Sequence, residues 1–325
     1  MRICLVAHFK DNPVKGDIGT KNVAYYLAKE LSKRHEILQI DVRVINSWRK
    51  IKAFKPQIIH FVLGPTTLGL IITKAFKIWY NNAKVLVSAP NPFLRFKMFL
   101  PLFKPDMILT QSLHYEEIFN EVGYKTEFLP NGVDVEKFVP ASQSFKERLR
   151  EKYCLDANKF VILHVGPIIE RRNIRLLEKL QDEECQVLII GRIPFEEELY
   201  ESVRDKGCLV WINRFENIEE IYKMCDCYVF PTPPINTTAS IDLPLSVLEA
   251  MACNLPVIST RFGALPRIFD EGDGLFFVEN EDDVYKITER IKRENMEIKT
   301  REKVLPYSWQ NIAKRLERIY NELLH

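Results

Sequence analysis

Pro244-Leu-Ser-Val-Leu-Glu-Ala-Met-Ala-Cys-Asn-Leu-Pro-Val-Ile-Ser259 reads as a helix over 244–253 followed at once by a short buried strand over Pro256–Ser259. Pro244 suits the first helical turn, because its ring fixes φ and its missing N–H would bond nothing there. The same alternation extends in both directions. Upstream, strands are predicted at Phe160–Val165, Val187–Ile190, Leu209–Ile212 and Tyr228–Phe230, with helices near 174–181, 195–204 and 217–224 between them. Downstream come a strand at Leu275–Val278 and a helix over 281–293. Strands separated by helices require crossover connections, hence a parallel sheet covered on both faces.

The first part of the chain repeats the rhythm. Strands are predicted at Arg2–Ala7, Glu36–Val42, Ile58–Leu63, Lys84–Ser88, Met107–Thr110 and Thr126–Leu129. Helices fall at Lys21–Arg34 (apolar face Val23, Tyr26, Leu27, Leu31), near 47–54 and 66–80, and over 113–122. Asn131-Gly-Val-Asp134 breaks the pattern, and a polar segment runs to Asn158. A final amphipathic helix spans Trp309–Leu324, with Ile312, Leu316, Ile319 and Tyr320 on its apolar side. The fold class is therefore α/β, with two Rossmann-like, doubly wound parallel-sheet domains facing a cleft. The first domain takes residues 1–140, 141–158 is a linker, and the second domain takes 159–305. A length of 325 residues accommodates two such cores. Folds of this class bind ligands at the carboxyl ends of their strands.

Composition removes several classes. With 46% hydrophobic and 28% charged residues, 12 Gly and 18 Pro, the chain is neither collagen-like nor disordered. Its longest uncharged stretch, Gln57–Thr73, is interrupted by Gly64, Pro65 and Gly69 and is too short for a membrane span. Ile3–Phe9 reads as a buried strand rather than a signal peptide. The seven cysteines are odd in number and contain no CxxC, so buried free thiols in a reducing cytoplasm are expected. Cys225-Asp-Cys227 has poor spacing for a metal, and no metal site is expected. Neither GxGxxG nor GxxxxGK[ST] occurs, which argues against a dinucleotide oxidoreductase and a P-loop nucleotidase.

The net charge of +2 hides a division. Residues 1–140 hold 20 Lys and Arg against 12 Asp and Glu, and no acid stands between Asp41 and Asp106. That window carries Arg43, Arg49, Lys50, Lys52, Lys55, Lys74, Lys77, Lys84, Arg95, Lys97 and Lys104. Such a field attracts phosphates or an anionic membrane surface; solvated lysines on separate helices are the plainer reading. Pro92–Pro105 interleaves Phe and Leu with cations, a composition of peripheral membrane contacts and also of core helices with snorkelling cations. No nucleic-acid-reading motif is recognisable.

The N-terminus of the 244–253 helix offers free N–H groups at Leu245 and Ser246 together with the positive end of the helix dipole, an anion site. Glu249 lies too deep to cap that end, and a carboxylate beside a phosphate can accept two hydroxyls of a ribose. An ordinary helix start with a surface Glu would look similar.

These residues resemble the donor signature of the retaining, GT-B-fold glycosyltransferases of family 4 (glycosyl transferases group 1). The resemblance continues in Leu129-Pro-Asn-Gly-Val-Asp134, His164-Val-Gly-Pro-Ile-Ile-Glu-Arg-Arg-Asn173, Ile221–Pro231 and Pro306-Tyr-Ser-Trp309. It implies that Glu249 holds the donor ribose and that Leu245 and Ser246 donate to the diphosphate. Arg172, with Arg171 as its neighbour and substitute, would neutralise the leaving phosphate. Gly16, Gly19 and Gly166 would let backbone approach the ligand, and the base would lie near Gly191-Arg192 and Trp211-Ile-Asn213-Arg214. It further implies a final helix that returns to the first, acceptor-side domain.

Three positions depart from the family pattern. A second glutamate is usual eight residues before Glu249, where Ile241 stands; Asp242 beside it is the candidate shifted catalytic carboxylate. The usual arginine after the second domain's first Gly is Pro167, and the histidine closing the fourth strand is missing from Ser88-Ala-Pro-Asn-Pro92. His60 and His114, near strand ends, read as structural. The expectation is a metal-independent transferase without a cofactor, moving a sugar from a nucleotide-diphosphate sugar to an acceptor sugar or a lipid-linked or anionic acceptor. Its expected setting is cytoplasmic, peripheral on a membrane. The alternatives are a non-catalytic nucleotide-sugar binder and, further off, a sugar-nucleotide epimerase.

Overall fold

A computed structural model of the chain describes residues 1–9, 19–41, 47–62, 64, 67–89, 104–193, 195–212, 215–234 and 242–325. It divides into two compact units, each built on its own parallel sheet.

The first unit contains β1 (Arg2–Ala7), α1 (Gly19–Leu31), β2 (Glu36–Asp41), α2 (Ser47–Phe54), β3 (Ile58–Phe61), α3 (Thr67–Trp79), β4 (Lys84–Ser88), β5 (Met107–Thr110), α4 (Leu113–Glu121) and β6 (Thr126–Phe128). Its sheet order is β2-β1-β3-β4-β5-β6, every described pair parallel. β3 and β5 are buried at every position, as expected of strands covered on both faces.

The second unit contains α5 (Gln143–Lys152), β7 (Phe160–Val165), α6 (Arg175–Glu178), β8 (Cys185–Ile190), α7 (Glu197–Asp205), β9 (Leu209–Trp211), α8 (Ile218–Lys223), β10 (Cys227–Phe230), α9 (Leu245–Ala252), β11 (Val257–Thr260), α10 (Leu265–Ile268), β12 (Leu275–Val278), α11 (Glu281–Arg293) and α12 (Thr300–Val304). Read from β9, its order is β9-β8-β7-β10-β11-β12, the doubly wound arrangement whose direction reverses between β7 and β10. The core includes Ile162, Val187, Ile189, Val229 and Ile258, all fully buried.

The last helix, α13 (Trp309–Leu324), belongs to the first unit, although the residues immediately before it belong to the second. Its predicted apolar side is buried at Ile312, Leu316, Ile319 and Tyr320. Trp309 stacks on Tyr26 with ring centres 5.2 Å apart and planes 4° from parallel. Gly132 admits this approach, since a Cβ there would stand 2.7 Å from the Trp309 ring. Further along, His60 lies between Tyr320 Oη at 2.6 Å and Ser88 Oγ at 2.7 Å. Burial lowers its pKa to about 3, so it is neutral and structural.

Two sequence expectations are corrected. The polar segment 141–158 is not a bare linker, because it contains α5, capped by Ser142 Oγ accepting from Phe145 N–H at 3.3 Å. Few apolar residues mark this helix. Its anchor is the buried Arg150, which donates to the carbonyls of Met224, Ala157 and Lys159 and pairs with Asp226. The thiols are not uniformly buried either. Cys154 is exposed with φ of 55°, in the turn just after α5, while the other six are buried. Among the described residues, no helix is long and apolar enough to cross a membrane.

Candidate functional site

The reversal between β7 and β10 gathers most of the residues singled out from the sequence. His164 points inward from β7, and Tyr228 and Phe230 come from β10. The His164 ring lies 6.4 Å from each of these two rings. Its Nδ1 lies 2.9 Å from Val229 O, an acceptor, so Nδ1 carries the proton. Burial, reinforced by the Arg172 charge, lowers the pKa to about 4. Nε2 is therefore a bare acceptor, and it is buried without a hydrogen-bond partner. Gly166 keeps the space before it open: a Cβ there would sit 3.0 Å from Nε2.

Arg172 ends a 3-10 turn, Glu170–Arg172, that follows β7. The turn closes on Asn173 in the left-handed conformation, φ 53°, a state that Asn tolerates better than most residues. The guanidinium lies 5.8 Å from the Phe230 ring centre. Its Nε is a second buried polar atom without a partner. Burial lowers the Arg172 pKa to about 10; the charges of Arg192 and Arg171 add to that, against a favourable contribution from Tyr228. The three arginines thus share one neighbourhood, in which their like charges act on one another. Thr232, just past β10 and fully buried, supplies a third such atom in Oγ1.

α9 begins beside this group. Pro244 is its N-cap, with ψ of 121°, so the helix starts one residue later than the sequence reading put it. No side chain caps this end, which leaves the N–H groups of its first turn without intrahelical partners. Ser246 Oγ accepts from Tyr228 Oη at 2.7 Å. One helical turn further on, Glu249 Oε2 accepts from Tyr222 Oη at 2.8 Å. Tyr222 is fully buried, and desolvation followed by the Glu249 charge raises its pKa, so it stays a donor.

The structure thus brings Gly166, Arg171, Arg172, Leu245, Ser246 and Glu249 into the second unit around one sheet end. Gly191 is in that unit too, with a structural reason for being Gly. A Cβ there would come within 2.5 Å of Ile212 and 2.7 Å of Ile168. Asp242 belongs to the first unit, where its buried carboxylate accepts from Ser112 Oγ at 2.8 Å. Gly19 is the first residue of α1, whereas Gly16, Asn213, Arg214, Ile241 and residues 90–103 lie outside the described residues. Sequence reasoning missed His164, Thr232 and the two tyrosines as site residues, and named Arg192 only for the base. The available signal was a histidine inside an apolar strand two residues before a glycine. Among the described residues, no group of His, Cys, Asp and Glu could hold a metal ion.

Residues 159–293 match the family described as glycosyl transferases group 1. The sulfoquinovosyl transferase SQD2 of Arabidopsis thaliana is 29% identical over 192 residues, covering 55% of this chain and 36% of that protein. A GDP-mannose-dependent monoacylated alpha-(1-6)-phosphatidylinositol monomannoside mannosyltransferase of Corynebacterium glutamicum is 28% identical, covering 59% of this chain and 55% of that one. The chain therefore spans between about a third and a little over half of these relatives. Among solved structures, Anabaena Alr3699/HepE in complex with UDP and glucose aligns with a TM-score of 0.75 at 13% identity, covering 98% of this chain and 99% of that one. Sucrose-phosphate synthase of Thermosynechococcus elongatus aligns with a TM-score of 0.75 at 16% identity, covering 99% and 98%. Residues 159–293 thus resemble the glycosyl transferases group 1, and the two-sheet architecture is that of the GT-B fold.

Proposed function

We propose that this protein transfers a sugar from a nucleotide-diphosphate sugar to an acceptor, with retention at the anomeric carbon. The observation that carries the reading is the set of buried, unpartnered polar atoms at the end of β7 and β10: His164 Nε2, Arg172 Nε and Thr232 Oγ1. Leaving such atoms unbonded costs about 1–3 kcal/mol each, so their gathering at one sheet end is the mark of a site built for a polar ligand. The proposed roles follow from charge. The amides of Leu245 and Ser246 and the arginines 171, 172 and 192 take the diphosphate, and Glu249 takes the ribose hydroxyls. As the sugar–phosphate bond breaks, negative charge grows on the leaving diphosphate, and fixed donors there lower the barrier. Arg172, held by the Phe230 ring and the turn, is the donor proposed to matter most in that step. The acceptor attacks on the face from which the nucleotide departs.

The names of the relatives support a nucleotide-linked donor, since one structural neighbour holds UDP and glucose and one relative is GDP-mannose-dependent. The latter's phosphatidylinositol acceptor supports a lipid-linked acceptor here. The test is a panel of UDP-, GDP- and ADP-sugars screened by thermal stabilisation, then labelled donors followed for transfer or slow hydrolysis. Stabilisation with turnover is expected. Binding without turnover would leave a nucleotide-sugar binder, the reading favoured by Pro167 and Ile241, and an epimerised donor would make it an epimerase. The absence of any stabilisation would overturn the donor site.

A further inference from the structure

The outer face of α2 and α3 has apolar side chains where a solvated surface would have polar ones. Ile78 and Trp79 are each 67% exposed and Trp48 is 46% exposed; Ile71 is exposed as well. Ile71 and Ile78 are two turns apart on α3, with exposed Lys74 between them on the same stripe. The opposite side of α3 is apolar too. Ile72, Phe76 and Tyr80 pack on the core formed by Val6, Ile51, Ile59 and Val85. A helix that is apolar on two sides has a second apolar environment to meet. α2 joins the same surface, because Tyr80 Oη donates to Trp48 O at 2.9 Å and so ties the start of α2 to the end of α3.

Cations surround these side chains. Arg49 lies 5.3 Å from the Trp48 ring centre, and Lys50, Lys52, Lys55 and Lys84 are exposed nearby in the sequence. Acidic residues are absent from 42 to 105, so nothing on these helices opposes them; Asp106, which pairs with Lys77 at 2.9 Å, is the first to follow. Large aromatic and aliphatic side chains among Lys and Arg, with no acid, match the boundary between headgroups and acyl chains of an anionic bilayer. A soluble anion would need the cations without the tryptophans, and a core contact would need the tryptophans without the cations.

We infer that the face carrying Trp48, Ile71, Ile78 and Trp79, with Arg49, Lys50 and Lys52, is a docking surface for an anionic lipid bilayer. It extends the proposed lipid-linked acceptor by giving the first unit its own hold on the membrane that contains it. Binding needs no sugar donor, so it is measured apart from transfer.

The experiment is co-sedimentation of the protein with phosphatidylcholine vesicles and with the same vesicles containing phosphatidylglycerol, at low and high salt. The partner variants are Ile78→Ser/Trp79→Ser and Lys50→Glu/Lys52→Glu. The wild type should partition onto the anionic vesicles, be released by salt, and shift its tryptophan emission to the blue. The apolar variant should lose about tenfold or more of this partition and most of the emission shift. Charge reversal should reduce it by more than the roughly fivefold that one cation near such a surface contributes. Circular dichroism and nucleotide-sugar binding in solution should be unchanged, because these residues are exposed and belong to the other unit. Equal partition of the variants and the wild type would overturn the assignment of this face. So would negligible wild-type binding to both vesicles. Self-association in solution that Ile78→Ser/Trp79→Ser abolishes, without any vesicle binding, would make the face a protein interface instead.

Discussion

Tyr222 donates a 2.8 Å hydrogen bond to the Glu249 carboxylate, from a side chain that is itself fully buried. One carboxylate oxygen is thereby fixed in place, and the orientation of the other is set by the same bond. For the proposed ribose contact this is the positioning that a flexible surface glutamate would lack. Glu249→Ala should therefore weaken nucleotide binding by about 1.5–3 kcal/mol, the scale of a hydrogen bond to a charged group. Tyr222→Phe, which keeps the ring, should cost about 0.5–1.5 kcal/mol in the same titration. Calorimetry with the best nucleotide from the panel is the measurement. Unchanged affinity in a folded Glu249→Ala protein would remove Glu249 from the site.

Arg172 and Arg171 are sequence neighbours in different settings. Arg172 is partly buried against Phe230 with an unbonded Nε, whereas Arg171 is exposed. Arg172→Ala should lower kcat by about a hundredfold or more with a smaller effect on donor affinity, since its interaction grows toward the transition state. Arg171→Ala should change kcat far less. The reverse ranking in single-turnover assays would move the role to Arg171.

The parts of this architecture that were legible in the sequence are those carried by local pattern. Phe160–Val165 is an apolar run interrupted only by His164, and a parallel strand buried on both faces needs such a run. The α13 stripe is equally local, and each of its four named residues is buried. α5 was not legible, because what holds it is one arginine bonded to Asp226 and three carbonyls rather than an apolar stripe. In the candidate site, Glu249 could be named as a carboxylate beside an anion-binding helix start, and Arg172 only through the family resemblance of Glu-Arg-Arg-Asn173. His164, Tyr222 and Tyr228 could not, since in sequence they are indistinguishable from core aromatics. The bond of Asp242 to Ser112, 130 residues away, could not be read either, because only tertiary structure joins them.

Asn131 and Gln111 hold both backbone groups of Leu243, the residue at which the chain leaves the first unit. Gln111 Nε2 donates to Asn131 Oδ1 at 2.7 Å, Asn131 Nδ2 donates to Leu243 O at 2.9 Å, and Leu243 N–H donates to Gln111 Oε1 at 3.1 Å. Each member is buried, so removing one strands the others. Asn131→Ala and Gln111→Ala should each cost about 1–3 kcal/mol in urea unfolding. The double variant should cost clearly less than their sum, because the second loss removes groups already stranded. Strict additivity would show that the three bonds do not act as a unit.

Asp242 supplies a pH test that leaves the donor residues untouched. Burial raises its pKa to about 7, with the Ser112 hydroxyl and N–H pulling the other way. In the unfolded chain the same group ionises near pH 4. Between these values the folded protein keeps a proton that the unfolded chain has released. The stabilisation tied to that proton is therefore complete below about pH 4 and declines as pH rises toward 7. The slope cannot exceed about 1.4 kcal/mol per pH unit, for a total on the order of 4 kcal/mol. His60 and His164, held neutral by burial, work in the opposite sense as pH falls below about 6.5. Asp242→Asn isolates the carboxylate, because both histidines remain in the variant and cancel in the difference. The difference in unfolding free energy, wild type minus Asp242→Asn, should fall steadily from pH 4 to pH 7 and level off above it. Denaturant titrations at half-unit steps across that range are sufficient. Parallel wild-type and variant curves would mean that Asp242 ionises in the folded protein as it does in water.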